Sequence, residues 1–336
     1  MKKYCALIIS CLLVLFSLFF SIDFNSIMVG KGGEKDEEIS NINVMSNVLK
    51  TFCDSYNNNA YSSSSYDLKS VEGGNEKKIT SISLEIDSAG KFENNVREGS
   101  NLESAVNSYN RKLNVYFTDD AAYYTASMDL ISKVSSRKNG ESTSENYSMN
   151  IEFELYFAQD YVAVRFQKFH VVSESGVLLD AQKSKLNVWY KADGVESELL
   201  DINERNIALL SYYGDIFENK NVFYEKNSLY AIKPEYTKNA LKDIYKVQSG
   251  YSLSIDENDE YTFELSLDLS NKKSPVIKQM MSVNNDKTFN GGYWNDYSTY
   301  SQESSGNGYD IIKIKNINNT VIKIPNNLEL KEMTNE

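Results

Sequence analysis

Few residues of this 336-residue chain have the types and spacing that catalysis requires. The chain has one histidine, His170, and three cysteines. A serine or cysteine nucleophile needs a neighbouring base, and neither a Gly-x-Ser-x-Gly motif nor an activated-cysteine pattern accompanies His170. His170 lies between Phe169 and Val171 at the end of a strand-like segment, which predicts a half-exposed strand residue. We therefore expect no catalytic residue and no enzyme activity.

The carboxylates also lack a catalytic or metal-binding arrangement. Paired Asp and Glu side chains could serve a glycosidase, but Glu152, Glu154 and Glu264 fall on the polar side of alternating segments, which predicts solvated positions. The densest acidic run, Asp256–Glu260, lacks the glycine and the spacing of a calcium-binding loop, so a hairpin turn is the simpler interpretation. No glycine pair continues into a phosphate-binding loop. The sequence therefore predicts no metal and no cofactor.

Two groups of side chains remain as candidate binding sites. The first is an apolar face built from alternating residues, which must be covered by helices, by a ligand or by both. Its members are Phe153, Leu155, Phe157, Val164, Phe166, Leu265 and Leu267. The second is an aromatic set in a segment rich in Asn, Gly and Ser, whose rings could stack on sugar or peptide or could cover one end of the sheet. Its members are Tyr293, Trp294, Tyr297 and Tyr300.

An excess of acidic residues argues against nucleic acid as a partner. The chain has 35 Lys and Arg against 47 Asp and Glu, which gives a formal charge of −12. Affinity for a phosphate backbone rests on Lys and Arg, and here they are outnumbered. The same charge disfavours docking of the exported part onto anionic lipid surfaces.

An uncharged apolar run, Cys5–Ile22, follows Lys2 and Lys3. A helix of these 18 residues is about 27 Å long, close to the hydrocarbon thickness of a bilayer. No good cleavage site directly follows the run, so residues 1–29 are interpreted as a membrane anchor in preference to a cleaved signal peptide. The two lysines place the rest of the chain outside the cytoplasm. The sequence thus predicts an exported protein, which is membrane-tethered if the segment is retained and secreted if it is cleaved as a signal peptide.

The cysteines cannot form a disulfide within the exported part. Cys5 and Cys11 lie in the apolar run, which leaves Cys53 alone outside it. Cys53 falls on the apolar stripe of a predicted helix, so we expect a small buried side chain in preference to a reactive thiol.

Beyond the apolar run the hydrophobic period changes from helical to alternating. Apolar residues at intervals of three and four predict a helix over about Glu38–Tyr56. From residue 78 onward the period is two, clearest in Met149–Phe157, which is typical of an antiparallel sheet with one solvated face. Two helices interrupt the strands, one with capping-box spacing at Asp201 and one opening at Pro234.

This element order predicts an α+β fold with one domain outside the membrane. We divide the exported part into a flexible juncture over residues 30–37, a single domain over 38–326 and a tail over 327–336. Two low-complexity stretches are interpreted as loops. Ser135–Tyr147 is a candidate long hairpin tip, and Asn284–Tyr309 is the longest predicted irregular segment.

The order of elements over residues 38–326 resembles the LolA/LppX-like lipoprotein-carrier superfamily. The stretch Asp310–Pro325 is similar to the last strand pair of related exported Gram-positive lipoproteins, in which an Ile-Asn-Asn-Thr turn precedes an Ile-Pro ending. The resemblance implies a strongly curved antiparallel half-barrel, with the N-terminal helix and the two mid-chain helices packed on its concave face. It also implies binding of acyl chains between sheet and helices. The chain departs from the family in having no usable lipobox.

Together these patterns favour an exported, membrane-tethered, non-enzymatic protein that binds an apolar or amphiphilic, lipid-like ligand at the cell envelope. The alternative is a cell-surface recognition module that binds glycan or protein through the aromatic set around Trp294.

Overall fold

One large antiparallel sheet dominates the chain. A computed structural model describes residues 28–31, 36–59, 79–119, 121–158, 161–174, 176–180, 185–192, 196–249, 255, 259–290, 299–323 and 330–332. The strands are β1 Met28–Lys31, β2 Ser81–Glu98, β3 Asn101–Thr118, β4 Ala122–Lys138, β5 Glu141–Phe157, β6 Val162–Ser173, β7 Gly176–Asp180, β8 Trp189–Lys191, β9 Phe223–Lys226, β10 Leu229–Ile232, β11 Glu260–Asp268, β12 Val276–Asn290, β13 Thr299–Lys315, β14 Thr320–Lys323 and β15 Lys331–Glu332. The helices are α1 Ile42–Asn59, α2 Glu196–Glu218 and α3 Pro234–Ser249, with a 3₁₀ turn at Lys220–Val222.

The strands pair in the order β15-β8-β6-β5-β4-β3-β2-β13-β12-β11-β10-β9, and β7 also pairs with β6. Every pair is antiparallel except β15 with β8. The predicted antiparallel sheet is therefore confirmed. β1 and β14 form a separate antiparallel pair, so the described strand Met28–Lys31 spans the predicted boundary between anchor and juncture.

The two segments interpreted as loops are mostly strand, so that interpretation is wrong. β4 and β5 meet at a two-residue turn in which Asn139 and Gly140 have φ values of 53° and 88°. Positive φ at both positions is the geometry of a tight hairpin turn and suits Asn-Gly. β12 likewise continues to Asn290 and β13 begins at Thr299. These strand ends carry polar residues on both faces. They therefore lack the alternation of apolar and polar residues by which the sequence predicts a strand.

The helices differ from the predictions mainly at their ends. α1 begins at Ile42 and not at Glu38, because the Asn41 side chain caps the helix by accepting a hydrogen bond from the Val44 amide at 3.0 Å. α2 begins at Glu196, five residues before Asp201. Among the described helices none is long and apolar enough to cross a bilayer, and the run Cys5–Ile22 lies outside the described residues.

The helices contact one face of the sheet, which we call the helix side; the opposite face is the outer side. The Phe52 and Tyr56 rings of α1 lie 5.8 and 5.6 Å from the Phe117 ring of β3. The Tyr124 hydroxyl of β4 donates to the Asn203 carboxamide of α2 at 2.6 Å. These contacts belong to one apolar cluster that includes residues of all three helices and of the sheet.

The long strands extend past this cluster. β2 and β3 have 18 residues each, which corresponds to about 60 Å. In β2 the side chains of Ile82, Leu84 and Ile86 are buried, whereas residues 92–95 are half-buried on both faces. The helices therefore cover one half of the sheet. In the other half the described side chains are mostly half-buried or exposed, although Val96 and Glu98 near the end of β2 are buried.

Candidate functional site

The predicted apolar face lies on the helix side, in the interior. Six of its seven residues are at most 4% exposed, and Phe166 is half-buried against them. Phe153 and Phe166 face each other across β5 and β6 with ring centroids 6.1 Å apart. The structure thus brings these side chains together under the helices, where they form part of the core.

The predicted aromatic set falls largely outside the described residues, at Tyr293, Trp294 and Tyr297. Tyr300 is the second residue of β13 and pairs with Phe289 of β12. Of the aromatic set, the structure therefore describes Tyr300 alone, in a strand that pairs with β12.

The polar candidates are dispersed. His170 is half-buried in β6, opposite Asn150 and Asp180. Asp256, Glu257 and Asn258 lie outside the described residues. Within the described ranges, no three His, Cys, Asp or Glu side chains are grouped so that they could hold a metal ion.

Glu154 corrects one expectation, because it is buried and not solvated. Its side chain is fully buried and forms an ion pair with Arg165. The Tyr123 hydroxyl donates to the other Glu154 oxygen at 2.8 Å, and the Arg165 guanidinium lies 5.0 Å from the Trp189 ring. A second apolar cluster, on the outer side, covers this pair. The polar side of β5 is therefore not uniformly solvated.

Cys53 is expected to be unreactive in the folded protein. It is buried between α1 and α2, and its Sγ lies 3.6 Å from the Ile207 carbonyl oxygen. Burial raises the pKa of its thiol, and the charges of Asp54 and Asp215 add to the shift, so no thiolate forms near neutral pH. Iodoacetamide at pH 8 should leave Cys53 unmodified in the native protein and alkylate it in urea, as read by peptide mass spectrometry. Rapid native alkylation would contradict its burial.

A row of polar side chains, which we call the Asp310 row, crosses the helix side where the apolar cluster ends. Strand register places its members side by side on four neighbouring strands. They are Gln279, Asp310, Ser88 and Arg111. Asp310 accepts hydrogen bonds from Ser88 at 2.5 Å, from Arg111 at 2.8 Å and from Gln279 at 2.6 Å. The row therefore surrounds one carboxylate with three donors.

The Asp310 row is also connected to the helices. The Tyr213 hydroxyl of α2 donates to the Gln279 carboxamide oxygen at 2.9 Å. The Arg111 side chain is 1% exposed, and burial lowers its pKa while the Asp310 charge opposes that shift. Removal of either charge would leave the other buried without its ion-pair partner. The row thus holds α2 in place at the edge of the core.

Sequence reasoning missed this row, although a signal was present. Arg111 alternates in step with Leu113, Val115 and Phe117, so it lies on the same face of β3 as these apolar residues. In the same way Asp310 lies on the face of β13 that carries Ile312. A charge on an apolar face implies a buried partner.

Beyond the Asp310 row, half-buried apolar side chains continue on the helix side. We call this group the apolar shelf. Its members are Phe92, Tyr109, Leu130, Met281 and Val283. The Phe92 and Tyr109 rings are stacked with centroids 6.2 Å apart, and the Arg111 guanidinium lies 4.8 Å from the Tyr109 centroid. The shelf thus extends the apolar face beyond the closed core.

Two glycines explain why the rings lie flat on the sheet. A Cβ at Gly90 would come within 2.6 Å of the Tyr109 hydroxyl, and one at Gly306 would overlap the Phe92 ring. Because these positions lack side chains, the rings cover the bare backbone. The glycines therefore create the smooth surface of the apolar shelf.

No protein-family model matches this chain, and no curated protein matches it either. The crystal structure of the outer membrane protein OprG from Pseudomonas aeruginosa is similar over 70% of this chain and 97% of that chain, with 4% sequence identity. The TM-score of that superposition is 0.21, which supports no conclusion about the function of this chain.

Proposed function

We propose that this chain is an exported, membrane-tethered, non-enzymatic protein that binds an amphiphilic, lipid-like ligand at the cell envelope, with the apolar shelf as the point of entry. The proposal includes the sequence-based LolA-like architecture, in which the sheet curves into a half-barrel around the helices. The observation that carries it is the continuation of the apolar face past the Asp310 row.

The polarity of the helix side fits a molecule with one apolar end and one polar end. The shelf residues Tyr109, Leu130 and Met281 are half-buried, so part of their surface remains available for apolar contact. Further along the same face the side chains become polar, with Asn94 accepting hydrogen bonds from Gln302 and Ser304 at 2.7 and 2.8 Å. An acyl chain on the shelf would thus place its headgroup against this polar surface.

The tether and the absence of catalysis rest on the sequence. The run Cys5–Ile22 supports membrane anchoring, and the shortage of nucleophile and base pairs supports a binding role. The acidic balance supports a ligand other than nucleic acid.

Photo-crosslinking with a diazirine-bearing fatty acid tests the proposal on the full chain in its own membranes. Alkaline washing before irradiation retains only firmly inserted protein. We expect adducts at the apolar shelf, in peptides that contain Tyr109 or Met281, and a several-fold loss of those adducts in Leu130→Asn.

Ile131→Asn is the matched control. Ile131 is the next residue along β4, points to the outer side and is 58% exposed, so its replacement should leave the shelf adducts unchanged. Adducts confined to residues 5–22, or equal losses in both variants, would refute the proposed ligand site.

The alternative function, recognition of glycan or protein through the aromatic set, stays a prediction. Its residues Tyr293, Trp294 and Tyr297 lie outside the described residues, and the geometry of Tyr300 alone does not favour it over the apolar shelf.

A further inference from the structure

A groove on the outer side of the sheet forms a second concave surface, which we call the outer groove. Its volume is about 620 Å³, and its floor is formed by β11, β12, β13 and β2. The side chains that line it are mainly polar. They include Lys91, Glu93, Glu260, Thr262, Asn284 and Asn307. This volume is within the range of about 300–1,000 Å³ typical of small-molecule sites.

Strand register organises the outer groove as two parallel rows. One row runs from Thr262 through Ser282 and Asn307 to Lys91. The other runs from Glu260 through Asn284 and Ser305 to Glu93. Three inter-strand spacings make each row about 14 Å long. The groove is therefore long enough for a short linear ligand lying across the strands.

Part of the lining is held in place and part is available to a ligand. Thr262 and Ser282 share a hydrogen bond of 2.7 Å, and Asn284 donates to Glu260 at 3.2 Å. In the portion of the chain that the structure describes, the side chains of Lys91, Ser305 and Asn307 have no hydrogen-bond partner. These three supply an ammonium donor, a hydroxyl and a carboxamide, so together they both donate and accept.

The composition of the groove discriminates between ligand classes. Lys91 is outnumbered in the lining by Glu93, Asp259 and Glu260, so the groove has a net negative charge, which disfavours a polyanion. An acyl chain would leave the polar side chains of Lys91, Glu93 and Asn307 without partners, which disfavours it. An extended peptide normally binds by adding a strand at a sheet edge, whereas the backbone groups of this floor are already paired in the ladder. A hydroxyl-rich ligand needs donors and acceptors from side chains, and that is what the groove offers.

We propose that the outer groove binds an uncharged oligosaccharide. This site is on the opposite face from the apolar shelf, so the proposal does not depend on the proposed lipid-like ligand.

Isothermal titration of the full chain with neutral hexasaccharides tests this proposal. The probes are cellohexaose, maltohexaose, laminarihexaose and chitohexaose. We expect at least one to bind, and Asn307→Ala to weaken that binding by about tenfold, the effect of losing roughly one strong hydrogen bond. Lys91→Met should produce a loss of similar size.

Asn110→Ala is the matched control, since Asn110 is an exposed asparagine of the same face, outside the groove on β3. Its replacement should leave the affinity unchanged. Absence of binding by all four sugars, or equal effects of Asn307→Ala and Asn110→Ala, would overturn the proposal. So would tighter binding of heparin than of every neutral sugar.

Discussion

Phe153→Ala is expected to lower the free energy of unfolding by about 3–5 kcal/mol. The Phe153 side chain is 2% exposed, and its ring lies within the apolar cluster beside Phe166. Truncation to alanine removes buried ring contacts and leaves a cavity that the surrounding strands and helices can fill only partly. Urea denaturation monitored by circular dichroism measures the change.

Glu152→Ala is the control, because Glu152 occupies the opposite face of the same strand and lies across from the exposed Lys168. Its effect should stay within about 0.5 kcal/mol. Equal losses in the two variants would contradict the assignment of faces. A loss for Phe153→Ala far below the expected range would instead mean that the ring lines a space that a ligand fills.

Asp310→Ala should be comparably damaging, at about 3–5 kcal/mol. The substitution removes the acceptor of Ser88, Arg111 and Gln279 at once. Arg111 would remain as a buried charge without the carboxylate that now offsets its loss of hydration. The same unfolding measurement applies, and a fall in the unfolding midpoint at an unchanged denaturant slope is the expected form of the result.

Asp286→Ala provides the comparison, since Asp286 is an exposed aspartate of the neighbouring strand β12. We expect it to be nearly silent. The double variant Arg111→Met, Asp310→Leu should recover most of the stability lost in Asp310→Ala, because it removes both buried charges and keeps the volume. A double variant as unstable as Asp310→Ala would show that the damage does not come from the unpaired charge.

Local patterns predicted the main elements correctly. Alternation over Met149–Phe157 placed Phe153 and Leu155 on one face, and both are buried. Pro234 marked the first residue of α3, where a missing amide donor costs nothing. These signals work because they depend on a few consecutive residues and on one surface being covered.

The hairpins show where local patterns mislead. The mostly polar composition of Ser135–Tyr147 predicts a loop, yet β4 and β5 continue through it to Asn139–Gly140. Polar composition indicates a loop only when the neighbouring strands have a buried face. In this hairpin the side chains of both faces are half-buried or exposed, so Asn-Gly is the better guide to the turn.

The candidate site was less accessible from sequence than the fold. Arg111 and Asp310 each fall on the apolar face of a strand, which indicates a buried ion pair. No spacing rule, however, identifies which acidic residue is the partner of Arg111. The bond between Ser88 and Asp310 joins residues 222 positions apart. Glu154 falls on the polar face of β5, where the sequence predicts solvated side chains. It is buried because a second cluster, which includes Trp189, covers that part of the outer side.

The sequence by itself determined the antiparallel strands, the three helices and the expectation of an apolar run suited to a membrane, since each follows from composition and period within one segment. Only the tertiary structure decided which stretches of sheet the helices cover, and therefore that the predicted apolar face is interior while the apolar shelf and the outer groove are open. How far the helices cover the sheet depends on two kinds of long-range contact. One is the pairing of strands that are far apart in sequence, and the other is the contact between α2 and Gln279. Such contacts are set by the whole chain, because burial is a property of the assembled surface and not of any segment within it.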